Sequence, residues 1–192
     1  MRRLDVQIPA PDGHSNGTLH VPDGDGRWPG VLVFPDAGGV RETFRQMGDR
    51  LAGMGYVALI PDIYYRAGGR APFDVATVFR DKQERARLTS LARVLTNDRI
   101  IADAGAYSGF VLARPEVTGS TIGTTGYCLG GRMSLIAAVL QEYRQMDQLP
   151  TEMNTLTGVA EPAKLQMLVR VGRTNQPGLS PRRDLSAIAQ PR

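Results

Sequence analysis

The stretch Gly126-Tyr127-Cys128-Leu129-Gly130-Gly131 constrains the fold more than any other part of the chain. It lies between a strand-like segment, STIGTTGY, and an amphipathic helical segment, GGRMSLIAAVLQEYRQM. A strand that turns straight into a helix around a reactive side chain crowds the residues two before and two after it. Glycine at both places is what G-x-nucleophile-x-G supplies. Cys128 is the single cysteine of the chain, so no internal disulfide forms and a reducing compartment is expected. The plain alternative is a small buried apolar residue. The order of the elements around the turn favours the nucleophile.

That order runs through the first three quarters of the chain. RLDVQIP and SNGTLHVP alternate weakly around Pro11-Asp12-Gly13 and read as an antiparallel hairpin. Val31–Phe34 is a short apolar run closed by Pro35, and YVALIPDIYY is another, as strands buried on both faces read. Between them Phe44, Met47, Leu51 and Met54 recur at helical spacing before a Gly53/Gly55 stop. Strand, helix, strand in this order implies a parallel pair. GGRAPFDVATVF reads as a loop placed to cover a site, and DKQERARLTSLARVL and NDRIIADAGAYSGFVLAR read as helices. The expectation is an α/β fold with a mostly parallel sheet over residues 1–145. Residues 146–192 are expected to form an atypical, disordered C-terminal segment, with one strand-like run, Leu165–Val171. On that reading the C-terminal part of the sheet is expected to be incomplete, with an exposed edge beside the elbow strand.

Composition narrows the function classes. The 192 residues are 42% hydrophobic and 22% charged, which fits one soluble domain with its own core. No apolar run approaches the roughly 18 residues of a membrane span, and MRRLDVQIPAPDG has no apolar signal core. The expected location is cytoplasmic. The net charge of +4 comes from scattered arginines interrupted by acids, which argues against a nucleic-acid partner. Gly123, Gly126 and Gly130 also allow a nucleotide-binding α/β domain as an alternative, but no G-x-x-x-x-G-K-[ST] loop is present. Two distant histidines and one cysteine make no metal-ligand cluster, and no cofactor is expected.

The elbow reading assigns chemistry to four residues. Cys128 would sit at a helix N-terminus, where free N–H groups and the positive end of the dipole favour a thiolate. The Leu129 N–H would face the oxygen of an attacked carbonyl. The second donor belongs to the loop after the first buried parallel strand, PDAGGV, where Ala37 is the natural choice. Asp36 would point into the same crevice at the carboxyl ends of the strands.

GYCLGG, together with VLVFPDAGGVRE and GYVALIPDIYYR, resembles the dienelactone hydrolase family of α/β-hydrolases over roughly residues 5–140. The resemblance implies hydrolysis of small carboxylic esters or enol-lactones by a Cys-His-Asp triad without a metal. It implies Cys128 as nucleophile, Leu129 and Ala37 as oxyanion-hole amides, and Asp36 as the acid beside the resting thiol. It also implies an arginine for the substrate carboxylate, with Arg80 or Arg85 in about the right segment.

The pattern breaks after the elbow. The fold's order is nucleophile, acid, histidine, yet the only histidines are His14 and His20. Asn175 falls near the place of the acid, and Asp184 follows later. A shortened homologue, or a reading frame that shifts soon after GGRMSLIAA, would explain this. An inactive remnant lacking the triad Asp and His is therefore the alternative to an ester hydrolase.

Overall fold

The computed structural model describes residues 1–68, 73–74 and 77–146, with side chains to residue 139. Expectations for Leu165–Val171, Asn175, Asp184 and the rest of the tail fall outside these residues.

The opening hairpin pairs β1 (Arg2–Ala10) with β2 (Gly13–Val21) in antiparallel register, Arg2 opposite Val21 and Ala10 opposite Gly13. Then come β3 (Trp28–Phe34), α1 (Glu42–Gly53) and β4 (Val57–Pro61). A 3₁₀ turn at Tyr65–Ala67 leads on to α2 (Lys82–Val94), α3 (Asn97–Leu112), β5 (Val117–Gly126) and α4 (Leu129–Met146). The sheet order is β1-β2-β4-β3-β5. The ladders that carry the candidate site, β3–β4 and β3–β5, are parallel. The ladders of the hairpin, β1–β2 and β2–β4, are antiparallel.

Alternation along β3 divides the core into two layers. Leu32 and Phe34 face α3 and α4, packing with Leu59, Ile100, Tyr107 and Met133. Val31 and Val33 face α1, packing with Phe44, Ala58 and Ile60. Because both faces are covered, the strand reads as a continuous apolar run. Helix α1 ends one residue short of the spacing read from sequence. Met54 caps it and is 66% exposed, because Gly55, at φ +86°, takes the left-handed position that stops the helix.

Two side-chain caps start the next helices. Asp81 accepts from the Gln83 and Glu84 N–H groups at 2.7 and 3.0 Å, and Thr96 accepts from Arg99 at 3.4 Å. Inside the α3 layer, Asp103 is fully buried and accepts from the two terminal nitrogens of the Arg66 guanidinium at 2.6 and 2.8 Å and from the Tyr65 hydroxyl at 2.9 Å.

The β3–β5 ladder is interrupted once. Trp28 and Pro29 lie opposite Val117 and Thr118, but Gly30 lies opposite Ile122. Residues 119–121 are bulged out at Gly119, whose φ is +87°. Beyond the bulge the register is regular and ends with Phe34 opposite Gly126.

Candidate active site

The level ends of β3 and β5 bring two loops together. Tyr127 donates its N–H to the Phe34 carbonyl at 3.4 Å, and α4 begins two residues later. Both elbow glycines are required by contact. A Cβ on Gly126 would meet the Gly130 carbonyl oxygen at 2.1 Å, and a Cβ on Gly130 would meet the Phe34 and Pro35 carbonyl oxygens at 2.3 Å. Gly131 is under no such constraint, since its nearest contact would be 3.5 Å. Cys128 itself has φ +53°, the only non-glycine residue with a positive φ among those described, and its side chain is exposed. A sharp left-handed residue between strand and helix is the strained backbone of a nucleophile elbow.

The first turn of α4 closes around the cysteine. Gly130 N–H donates to Tyr127, and Gly131 and Arg132 N–H groups donate to the Cys128 carbonyl. The helix is pinned to its strand where Ser134 donates to the Thr124 hydroxyl and Thr124 donates to the Ser134 carbonyl, both at 3.1 Å. Among the described residues, the Leu129 and Ala37 N–H groups meet no protein acceptor.

The loop after β3 is also held. The Asp36 carboxylate takes the Arg41 guanidinium at 2.6 and 2.7 Å and the Gly38 N–H at 2.9 Å. Burial pushes the Asp36 carboxyl up, but Arg41 and the Gly38 N–H outweigh it and hold it below the usual carboxylate range. The Tyr64 hydroxyl donates to the Ala37 carbonyl at 3.0 Å. Burial, followed by the negative charges of Asp36, Asp62 and Cys128, pushes the Tyr64 phenol up to about 12, so it stays a donor at neutral pH. Asp62 is half-buried and its carboxyl is raised by burial, with the Tyr64 N–H partly offsetting.

A cavity of about 670 Å³ opens beside this loop, lined by Gly38, Gly39, Arg41, Asp62, Tyr64 and Phe73. Cys128 does not line it. Phe73 and Val78 of the segment after the 3₁₀ turn pack with Leu88 and Leu91 against Ala37 and Tyr64. Arg80 and Arg85 are exposed, and the arginine that reaches the loop is Arg41. Neither Arg41 nor Tyr64 was singled out from sequence, although Tyr64 closes the Pro61-Asp62-Ile63-Tyr64 run already noted for its resemblance.

The histidines serve elsewhere. His14 is exposed on β2. His20 is buried under α1, its Nδ1 2.8 Å from Asp49 Oδ1 and its Nε2 3.1 Å from Thr18 Oγ1. A carboxylate only accepts, so Nδ1–H donates to Asp49, and Nε2 accepts from Thr18. Among the described residues no group of three His, Cys, Asp or Glu side chains is placed to hold a metal, and no helix is long and apolar enough to cross a membrane.

Residues 16–147 match the sequence profile of the dienelactone hydrolase family. The chain belongs to the dienelactone hydrolase family. It is 32% identical over 109 residues to the carboxymethylenebutenolidase of Pseudomonas sp. strain P51, covering 57% of this chain and 44% of the relative. It is 26% identical over 133 residues to the carboxymethylenebutenolidase of Pseudomonas putida, covering 69% and 54%. Among solved structures, m3DLH superposes with a TM-score of 0.59 at 29% identity, over 71% of this chain and 53% of that one. The fold is the α/β-hydrolase fold. The chain spans about half the length of the curated relatives it matches.

Proposed function

We propose that the chain carries the acyl-accepting half of a hydrolase for small carboxylic esters or lactones. The observation that supports this best is the exposed, left-handed Cys128 at the elbow, with the unengaged Leu129 N–H next to it and the unengaged Ala37 N–H on the facing loop. In this reading the Cys128 thiolate adds to the carbonyl carbon, and the oxyanion is met by the two N–H groups. Collapse forms the thioester bond and breaks the carbon–oxygen bond to the leaving alkoxide, which takes a proton from water. Water then attacks the thioester, releasing the carboxylic acid and the thiol.

The second step wants a base. Both ring nitrogens of His20 are engaged under α1, and no histidine follows Cys128. These observations favour a thioester that forms and persists on this chain, which is where the reading of an inactive remnant meets that of an esterase.

The experiment is intact-mass analysis after mixing the protein with p-nitrophenyl acetate. One acetyl group per chain, located on Cys128 and absent from Cys128→Ala, is the expected result. Equal labelling of the Cys128→Ala protein overturns the proposal. Sustained release of p-nitrophenolate beyond one equivalent would show that some other group deacylates the thioester.

A further inference from the structure

The loop between β3 and α1 is restrained more heavily than the start of a helix needs. Asp36 carbonyl accepts the Gly39 N–H at 3.0 Å, closing a turn. The Ala37–Gly38 peptide is fixed at both ends, its carbonyl by the Tyr64 hydroxyl at 3.0 Å and its N–H by Asp36 Oδ1 at 2.9 Å. Arg41 grips the whole arrangement, bidentate on Asp36 at 2.6 and 2.7 Å and reaching the Gly39 carbonyl at 3.3 Å. Its guanidinium lies 4.8 Å from the centre of the Phe44 ring, which fixes its own direction. A peptide is planar and trans, so its N–H points opposite its carbonyl. Tying down the Asp36 carbonyl therefore sets the direction of the Ala37 N–H, which meets no acceptor among the described residues.

We infer that Arg41 is a positioning residue for acyl transfer: by gripping Asp36 it locks the loop so that the Ala37 N–H is presented to the oxyanion, with Tyr64 as the second anchor. The inference rests on the reading of Cys128 as an acyl acceptor. It also gives Asp36 a task beside that of an acid that hydrogen-bonds the resting thiol: each carboxylate oxygen accepts from Arg41, and Oδ1 accepts from the Gly38 N–H as well.

Two reactions of the same thiol separate this role from a merely structural one. Acetylation by p-nitrophenyl acetate passes through a tetrahedral oxyanion. Alkylation by iodoacetamide does not, because sulfur displaces iodide directly. Both rates are measured on the full chain and on Arg41→Ala, Arg41→Lys and Tyr64→Phe, as pH profiles, and the high-pH plateaus are compared so that a shift in the thiol's titration cancels. Misplacing one of two oxyanion donors is expected to lower the acetylation plateau of Arg41→Ala at least about tenfold. The alkylation plateau should change by less than about threefold, and Arg41→Lys should recover part of the loss. Tyr64→Phe should lower acetylation in the same selective way. Unchanged acetylation in Arg41→Ala, or equal falls in both reactions, overturns the inference alone. Absence of acetylation in the unchanged chain, with alkylation intact, overturns the acyl-acceptor reading and this inference with it.

Discussion

A Cβ on Gly126 would lie 2.1 Å from the carbonyl oxygen of Gly130. Backbone faces backbone here, so no flexible side chain can yield. Gly126→Ala and Gly130→Ala are each expected to destabilise the fold by about 3 kcal/mol or more. Gly131→Ala makes only an ordinary van der Waals contact, at 3.5 Å, and gains helix propensity, so it should lie within about 1 kcal/mol of the parent. Urea unfolding of the three variants checks the contrast.

Cys128 holds a left-handed backbone that a Cβ disfavours. Cys128→Gly and Cys128→Ala both remove the thiol, but only glycine relieves the strain. The glycine variant should be more stable than the alanine variant by about 1 kcal/mol. Equal melting temperatures would mean that the elbow is unstrained in solution.

His20 ties β2 to α1 in its neutral form. Burial pushes its pKa below the ordinary 6.5, and Arg3 and Arg45 add to this, against the opposing hydrogen bond and charge of Asp49. The unfolded chain therefore takes up the proton at higher pH than the folded one. The stability present above pH 6.5 is lost as pH falls below it toward the folded pKa. The urea midpoint should drop between about pH 7.5 and 5.5, and His20→Gln should flatten that drop. The depressed Asp49 carboxyl acts only below its ordinary 3.8, outside this window. Asp62, whose raised carboxyl works in the opposite sense, is common to both proteins and cancels in the comparison.

Asp103 and Arg66 form a pair that is 0% and 11% exposed. Asp103→Leu leaves the guanidinium with the exposed Asp12 and the Tyr65 ring, and a loss of about 3–5 kcal/mol is expected. Removing both charges in Asp103→Leu/Arg66→Met should cost less than the single change. A double variant weaker than Asp103→Leu would show that the guanidinium itself, through Asp12, stabilises the 3₁₀ turn.

What the sequence disclosed and what it hid follow from distance along the chain. β3, β4 and the elbow helix announce themselves through runs of neighbours, and the elbow glycines through spacing within six residues. The start of β5 was harder to read. The bulge at Gly119 breaks its pattern, so the strand begins at Val117 instead of Ser120. Asp36 stands out for its place after β3, but its partner Arg41 is the N-cap residue of α1, and no periodicity encodes the bond between them. His20 with Asp49, Arg66 with Asp103 and Tyr64 with Ala37 are 29, 37 and 27 residues apart, and only the topology brings them together. The Gly48 contact is of the same kind: a Cβ there would meet the His20 ring at 2.5 Å.

The bulge in β5 works as a counting device. From Ile122 to Gly126 the strand climbs about 3.3 Å per residue in regular register, so the irregularity ends about 13 Å below the elbow. Adding or removing one residue at 119–121 could be absorbed in the bulge, or could move the thiol by one step and turn its strand inside out. The three looped-out residues are thus the place where the length of β5 is matched to that of β3. A change of length there that the bulge does not take up reaches Cys128, whereas a substitution leaves the register alone.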